Sequence, residues 1–162
     1  MAVASSGTAK VTLPSDEEIL ITREFDAPPS LVYRAWTEPE LVRRWWSPRG
    51  EMTVCDIDLR VGGVWRYALV LRDGTEVASH GEYREIVPDE RLVHTEIYEG
   101  APVDGEPPIN IVTFEESDRG TRIEILVQCH SKEVRDMIAT SGMEEGMQEQ
   151  MVQLDELLGT LR

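Results

Sequence analysis

The residues EEILITREF, from Glu17 to Phe25, alternate apolar Ile19, Ile21 and Phe25 imperfectly with charged positions. This two-residue period predicts a first strand, and Ala27-Pro28-Pro29 ends it. Beyond the prolines the period lengthens. Leu31, Val32, Ala35 and Trp36 recur at three-to-four spacing, one face of a short helix that stops before Pro39. A second short helix is predicted from Glu40 to Trp46, closed by Pro48 and Gly50. From Met52 to Cys129 the signals return to strands: MTVCDIDL, VWRYALVL, EVASHGEYREIV, RLVHTEIY, NIVTFEE and TRIEILVQC. Gly62-Gly63, Asp73-Gly74, Pro88-Asp89, the stretch from Gly100 to Pro108, and Asp118 to Gly120 punctuate them. The pattern is a six-stranded antiparallel run following the first strand.

The end of the chain is helical. Ser131 can cap one or two turns, and Ser141 with Glu144 three positions on reads as a capping box for a longer helix. Along that helix Met143, Met147, Met151, Leu154, Leu158 and Leu161 keep three-to-four spacing, while Glu144, Glu145, Glu149, Asp155 and Glu156 fall elsewhere. Such a stripe must be covered, and the sheet is the large apolar surface available.

Strand faces follow from turn length, because a one-residue slip exchanges the two faces. A two-residue loop at Asp73-Gly74 sets Trp65 and Tyr67 beside Glu82 and His80. A three-residue loop, Arg72-Asp73-Gly74 with Gly74 left-handed, sets Trp65, Tyr67 and Leu69 beside Gly81, Ser79 and Val77. The second separates polar from apolar, the usual state of an antiparallel sheet with one solvated face. Carried through the Pro88-Asp89 hairpin, it predicts an inner face of Trp65, Tyr67, Leu69, Val77, Gly81, Tyr83, Val93, Thr95 and Ile97. Arg66, His80, Glu82, Arg84, His94, Glu96 and Tyr98 then face outward.

Composition narrows the partners. The 162 residues make one ordinary domain, and a chain this long buries roughly 70% of its unfolded surface without disulfides or metals. Its net charge of −15 repels phosphate-rich polymers and anionic membrane surfaces, so neither nucleic acid nor membrane is an expected partner. No apolar run approaches the roughly 18 residues of a membrane span. Residues 1–16, MAVASSGTAKVTLPSD, are small and polar and are expected to form a flexible tail before a domain over 17–162. They lack a secretory signal's basic start and apolar core, and the only cysteines are Cys55 and Cys129. Together these suggest a reducing, cytoplasmic location, with both thiols buried as small apolar groups.

Four segments fall in one order along the chain: PPSLVYRAWTEPELVRRWWSPRG, DLRVGGVWRYALVLRDG, HGEYREIVPDERLVHTE and SGMEEGMQEQMVQLDELL. Over roughly residues 17–162 the chain resembles the family named for the activator of the ninety-kilodalton heat-shock protein's ATPase, of C-terminal-domain type, in the START-like or SRPBCC superfamily. The resemblance implies an α+β helix-grip fold. A strongly curved antiparallel sheet grips a long C-terminal helix, and two short helices after the first strand close one end. Between sheet and helix, members of that superfamily often hold a hydrophobic cavity for lipids, sterols, polyketides or hormones. Fold analogy licenses the cavity and not the ligand.

Candidate ligand-binding residues follow from the two readings together. Trp65, Tyr67 and Tyr83, opposite Met143, Met147 and Met151, would line a pocket, with Gly81 and Gly146 leaving room. Trp36, Trp45 and Trp46 lie where cavity entrances lie in the superfamily, and of the adjacent pair one ring is expected inward and one outward. An outward ring would suit a gate or a homodimer contact. The same residues equally describe a packed core. His80 and His94 with Glu82 and Glu96 read as a solvated ladder of cross-strand pairs, so no metal is expected, and His130 reads as a surface residue. Neither a nucleophile elbow nor a phosphate-cradling loop occurs, and no cofactor is expected.

Three functions follow. The first is binding of a hydrophobic or aromatic small molecule between sheet and helix. The second, prompted by the family's name, is co-chaperone-like interaction with the ninety-kilodalton heat-shock protein; the eukaryotic activators carry a further N-terminal domain where this sequence shows only a short tail. The third is a cyclase, dehydratase or hydrolase whose acid or base would be Tyr67, Tyr83 or a cavity-facing carboxylate, Asp56 being one candidate. Its mark would be a buried ionisable group of shifted pKa.

Overall fold

A computed structural model describes residues 9–100 and 104–161. Residues 1–8 of the expected tail, and 101–103 of the expected turn, lie outside the described residues. The element order is β1 (Lys10–Ser15), β2 (Glu18–Phe25), α1 (Pro29–Thr37), α2 (Pro39–Val42), β3 (Gly50–Ile57), β4 (Val64–Leu71), β5 (Glu76–Val87), β6 (Arg91–Thr95), β7 (Ile97–Tyr98), β8 (Ile109–Ser117), β9 (Gly120–Gln128), α3 (Lys132–Ala139) and α4 (Met143–Leu161). The strands form one antiparallel sheet in the order β1-β2-β9-β8-β6-β5-β4-β3, with β7 also pairing β5.

The expected tail is partly sheet. Val11 pairs with Ile21 on β2, and both main-chain polar groups of Ala9 bond the Gln148 side chain of α4. A short edge strand carrying Pro14 lacks the alternation that marks β2, and so was not legible. On β2 the imperfect alternation has a cause: Arg23 occupies an inward position, 5% exposed, donating to the Met151 carbonyl and lying 3.8 Å from Asp155.

Prolines start both short helices, where a missing N–H leaves no helical bond unmade. The second is shorter than predicted, and two turns from the Val42 carbonyl carry the chain on through Trp45 and Trp46. Ser131 caps α3, accepting from the Val134 amide at 3.1 Å. The expected capping box at Ser141 does not form. Its hydroxyl donates back to Ile138 at 2.6 Å, and Gly142, at φ +87°, turns the chain into α4. On α4 the buried stripe is Met147, Met151, Leu154, Leu157 and Leu158.

Two apolar clusters fill the concave side. The larger joins β2, β8 and β9 to α1 and α4 through Ile19, Ile21, Phe25, Val112, Phe114, Ile123, Ile125 and Val127. The smaller holds Val42, Met52, Cys55, Trp65, Tyr67 and Tyr83, and Trp46 and Ile86 touch both. Cys55 and Cys129 are free thiols, both buried.

Candidate functional site

The β4–β5 turn takes the three-residue form, with Leu71 and Thr75 closing it and Gly74 left-handed at φ +89°. Trp65 therefore pairs with Gly81, Tyr67 with Ser79 and Leu69 with Val77, as the separation of polar from apolar predicts. Trp65 and Tyr67 pack at 4.8 Å between ring centroids, and Trp46 closes on Tyr67 at 4.9 Å.

The next hairpin departs from expectation. Its turn pairs Val87 with Arg91 and Glu85 with Val93, but a bulge at Arg84 follows, and Tyr83 then faces His94. One unpaired residue exchanges the faces of the partner strand beyond it. His94 and Glu96, predicted outward, turn inward; Val93, Thr95 and Ile97 lose the inner positions predicted for them. On the far side His94 pairs with buried Asn110. Its ring stands 5.5 Å from Trp65 and 5.9 Å from Tyr83, edge to face. The Glu96 carboxyl accepts from the Asn110 amide at 3.0 Å. The sequence carries a trace of this arrangement, since polar Asn110 begins an alternation completed by Val112 and Phe114.

Burial shifts the charges of these groups. It lowers the His94 imidazole to about 4, against a raising bond to the Thr95 carbonyl at 3.4 Å, so the ring is neutral near pH 7. Burial raises the Glu96 carboxyl, partly opposed by the Asn110 bond. The phenols of Tyr67 and Tyr83 are pushed up for the same reason. Among the described residues no hydrogen-bond partner reaches the Tyr67 or Tyr83 hydroxyl, the His94 Nε2 or the second Glu96 oxygen, but these atoms are open to solvent; the buried side-chain atoms left unpaired are Arg23 Nε and Ser47 Oγ.

Other predicted positions resolve as follows. Trp36 and Trp45 are buried and stack at 4.7 Å, the Trp45 indole donating to the Ala35 carbonyl. Neither ring of the 45/46 pair faces outward. Trp46 is half-buried as a wedge between the clusters, because the chain leaves α2 before helical geometry separates the two. Gly81 does not leave room: a Cβ there would meet the Thr95 carbonyl oxygen at 1.8 Å and the Trp65 indole nitrogen at 2.6 Å. Gly146 does, a Cβ meeting nothing within 4 Å. Met147 and Met151 are buried and Met143 half-buried. Asp56 is exposed, because a bulge between Met52 and Val54 turns Cys55 inward instead.

The outer face keeps Arg66 and His80 of the expected ladder but pairs them with Glu99, while His94 and Glu96 leave it. Arg66 forms a fork to Glu99 at 3.0 Å on each arm, and His80 meets the same carboxylate at 2.9 Å. These bonds, that from Arg66 first, hold Glu99 down at about 2. His130 is exposed, its Nε2 3.0 Å from the Pro107 carbonyl oxygen. A shallow groove of about 410 Å3 lies away from the aromatic cluster, between Asp26–Pro29 and Glu116–Gly120. Turn residues rather than aromatic side chains line it. Among the described residues no group of three His, Cys, Asp or Glu side chains could hold a metal ion. No helix among them is long and apolar enough to cross a membrane.

A curved antiparallel sheet closed over a long C-terminal helix, with two short helices after β2, defines a START-like α+β protein. A family model described as Activator of Hsp90 ATPase homolog 1-like protein matches residues 26–159, and the chain belongs to that family. Solved structures agree in fold. A Rhodobacter sphaeroides protein superposes with a TM-score of 0.86 at 25% identity, over 95% of this chain and 99% of its own. Protein Ms6760 of Mycobacterium smegmatis gives 0.83 at 27%, over 93% and 96%. An Arthrobacter aurescens protein solved by NMR gives 0.82 at 30%, over 93% and 91%. No curated protein matches the sequence.

Proposed function

We propose that the protein binds a hydrophobic or aromatic small molecule between the curved sheet and α4, at the aromatic end of the concave face. One observation carries this reading: polar atoms of Tyr67, Tyr83, His94 and Glu96 converge there without partners, among Trp46, Trp65 and Tyr67 rings. These atoms are open to solvent and not sealed in the core, so a ligand can meet them, and an apolar surface with a few polar atoms is the composition of a ligand site. Gly146 supports it. It lies one helical turn before Gln150, whose amide bonds the Trp46 carbonyl, and a Cβ there would meet nothing within 4 Å.

Native mass spectrometry of the purified protein, with denaturing extraction, tests this directly. A co-purifying apolar molecule near one per chain is the expected result. An empty protein whose tryptophan emission and melting temperature ignore fatty acids, aromatic polyketides and hydrophobic dyes would remove the reading.

The displaced His94 and Glu96 groups favour a second reading, an enzyme of the same cavity. An imidazole that burial keeps neutral and a carboxyl that burial raises stand on one wall, a proton acceptor beside a carboxyl group, the two kinds of group that general acid–base catalysis uses. Conversion of the bound molecule, lost in His94→Phe while binding persists, distinguishes catalysis from carriage.

A further inference from the structure

We propose that the ligand is an uncharged aromatic alcohol of the phenol or naphthol class, its ring against Trp65 and Tyr67 and its hydroxyl between His94 Nε2 and the Glu96 carboxyl. This rests on the binding reading above and names the chemistry of that site.

The donors and acceptors on the wall decide the class. His94 Nδ1 faces the Thr95 carbonyl, which accepts only, so the ring proton sits on Nδ1 and Nε2 presents a lone pair. Glu96 has one oxygen bound to Asn110 and one open. The two tyrosine hydroxyls both donate and accept. A ligand hydroxyl matches this set: its proton goes to Nε2 and its oxygen accepts from a tyrosine or from the protonated carboxyl. An ether can only accept, and a hydrocarbon leaves every one of these atoms unpaired.

Charge excludes the alternatives. A ligand carboxylate needs a cation. On the concave face Arg23 lies on β2, tied to the Met151 carbonyl and Asp155 at the other end of the sheet, where its guanidinium also stacks on Phe25 at 4.6 Å. Of the groups around the site, His94 is neutral and Glu96 is neutral or negative, so an anion would be buried unpaired. An ammonium could donate to both Nε2 and an ionised Glu96, but it cannot accept from the tyrosine hydroxyls, and the naphthylmethylamine arm of the titration below separates it from the alcohol.

Calorimetric titration at pH 7 with five matched probes tests the assignment: 2-naphthol, 2-methoxynaphthalene, naphthalene, 2-naphthoate and 2-naphthylmethylamine. We expect 2-naphthol to bind about ten-fold or more tightly than the ether and the hydrocarbon, and the naphthoate weakest, since leaving a buried acceptor unpaired is worth at least that factor. In His94→Phe the naphthol should fall to the level of the ether while naphthalene is unchanged. Equal binding of naphthol and ether, or tightest binding of either charged probe, overturns the hydroxyl assignment but leaves a ligand site. Heat from none of the five overturns both. The wild-type series decides alone if His94→Phe does not fold.

Discussion

Beneath the C-terminal half of α4, Ile19, Ile21, Phe25 and Ile123 meet Met151, Leu154 and Leu158, every one at most 6% exposed. Across the same concave face, beside the start of α4, the wall changes to Trp65, Tyr67, Tyr83, His94, Glu96 and Asn110. Both ends descend from one sheet and lie under one helix, yet only the first is packed in the manner of an ordinary core. Its polar intruder, Arg23, finds a carbonyl and a carboxylate, while its Nε stays buried and unpaired. At the second end four polar atoms have no protein partner and are open to solvent. The contrast is between a sealed half that holds the fold and a half whose polar atoms solvent or a ligand can reach.

The contrast breaks most sharply at Leu154, which is fully buried. Leu154→Ala should lower unfolding free energy by about 2–5 kcal/mol, from lost transfer energy and the cavity left behind. Urea denaturation measures it. If the two ends divide the work as described, naphthol affinity of the folded variant stays near wild type. A large loss of affinity at full folding would mean that the apolar end also shapes the site.

The sheet, both short helices and the apolar stripe of α4 were legible because alternation and three-to-four spacing are local properties of the chain. So was the register of β4 on β5, since a single turn of known length fixes it. The inward turn of His94 and Glu96 was not. It depends on a bulge at Arg84, a residue no different in kind from its neighbours, and parity on β6 inverts there without a mark. Thr53 plays the same part on β3, where it takes Asp56 out of contention. Gly81 misled differently: its missing side chain reads as spare room, but the Trp65 indole and the Thr95 carbonyl occupy that room. The inward place of Trp65, Tyr67 and Tyr83 was readable from alternation, whereas that of His94 and Glu96 depends on the bulge.

His94 supplies the next test. Its pKa is lowered in the folded state to about 4 from the ordinary 6.5. The unfolded chain therefore binds a proton that the folded chain refuses, and stability is lost as pH falls from 6.5 toward 4. For two and a half units the contribution is roughly 3 kcal/mol. Glu96, raised by burial, acts in the opposite sense as pH rises through its own range, and other carboxylates titrate alongside. The measurement is therefore a difference: wild type should lose roughly 3 kcal/mol more than His94→Phe between pH 7 and 4 in urea titrations. Parallel pH profiles would place His94 in water and dissolve the distinction between the two ends.

Gly146 gives the smallest effect and the finest discrimination. Glycine inside an exposed helix is less favourable than alanine by about 1 kcal/mol, and here a Cβ meets no neighbour. Gly146→Ala should therefore stabilise the fold by about that amount, read from the midpoint of denaturation. A glycine kept where alanine is more stable points to space that something else uses. Gly146→Leu separates the two explanations, since it puts a large side chain where a Cβ meets nothing. If the opening admits the ligand, this variant folds at least as stably as wild type but binds 2-naphthol about ten-fold more weakly, through steric exclusion alone. If the opening is a surface gap on α4, affinity does not move. The end of the helix that looks least well packed would then be plain surface, and the path to His94 would have to be sought elsewhere along the sheet.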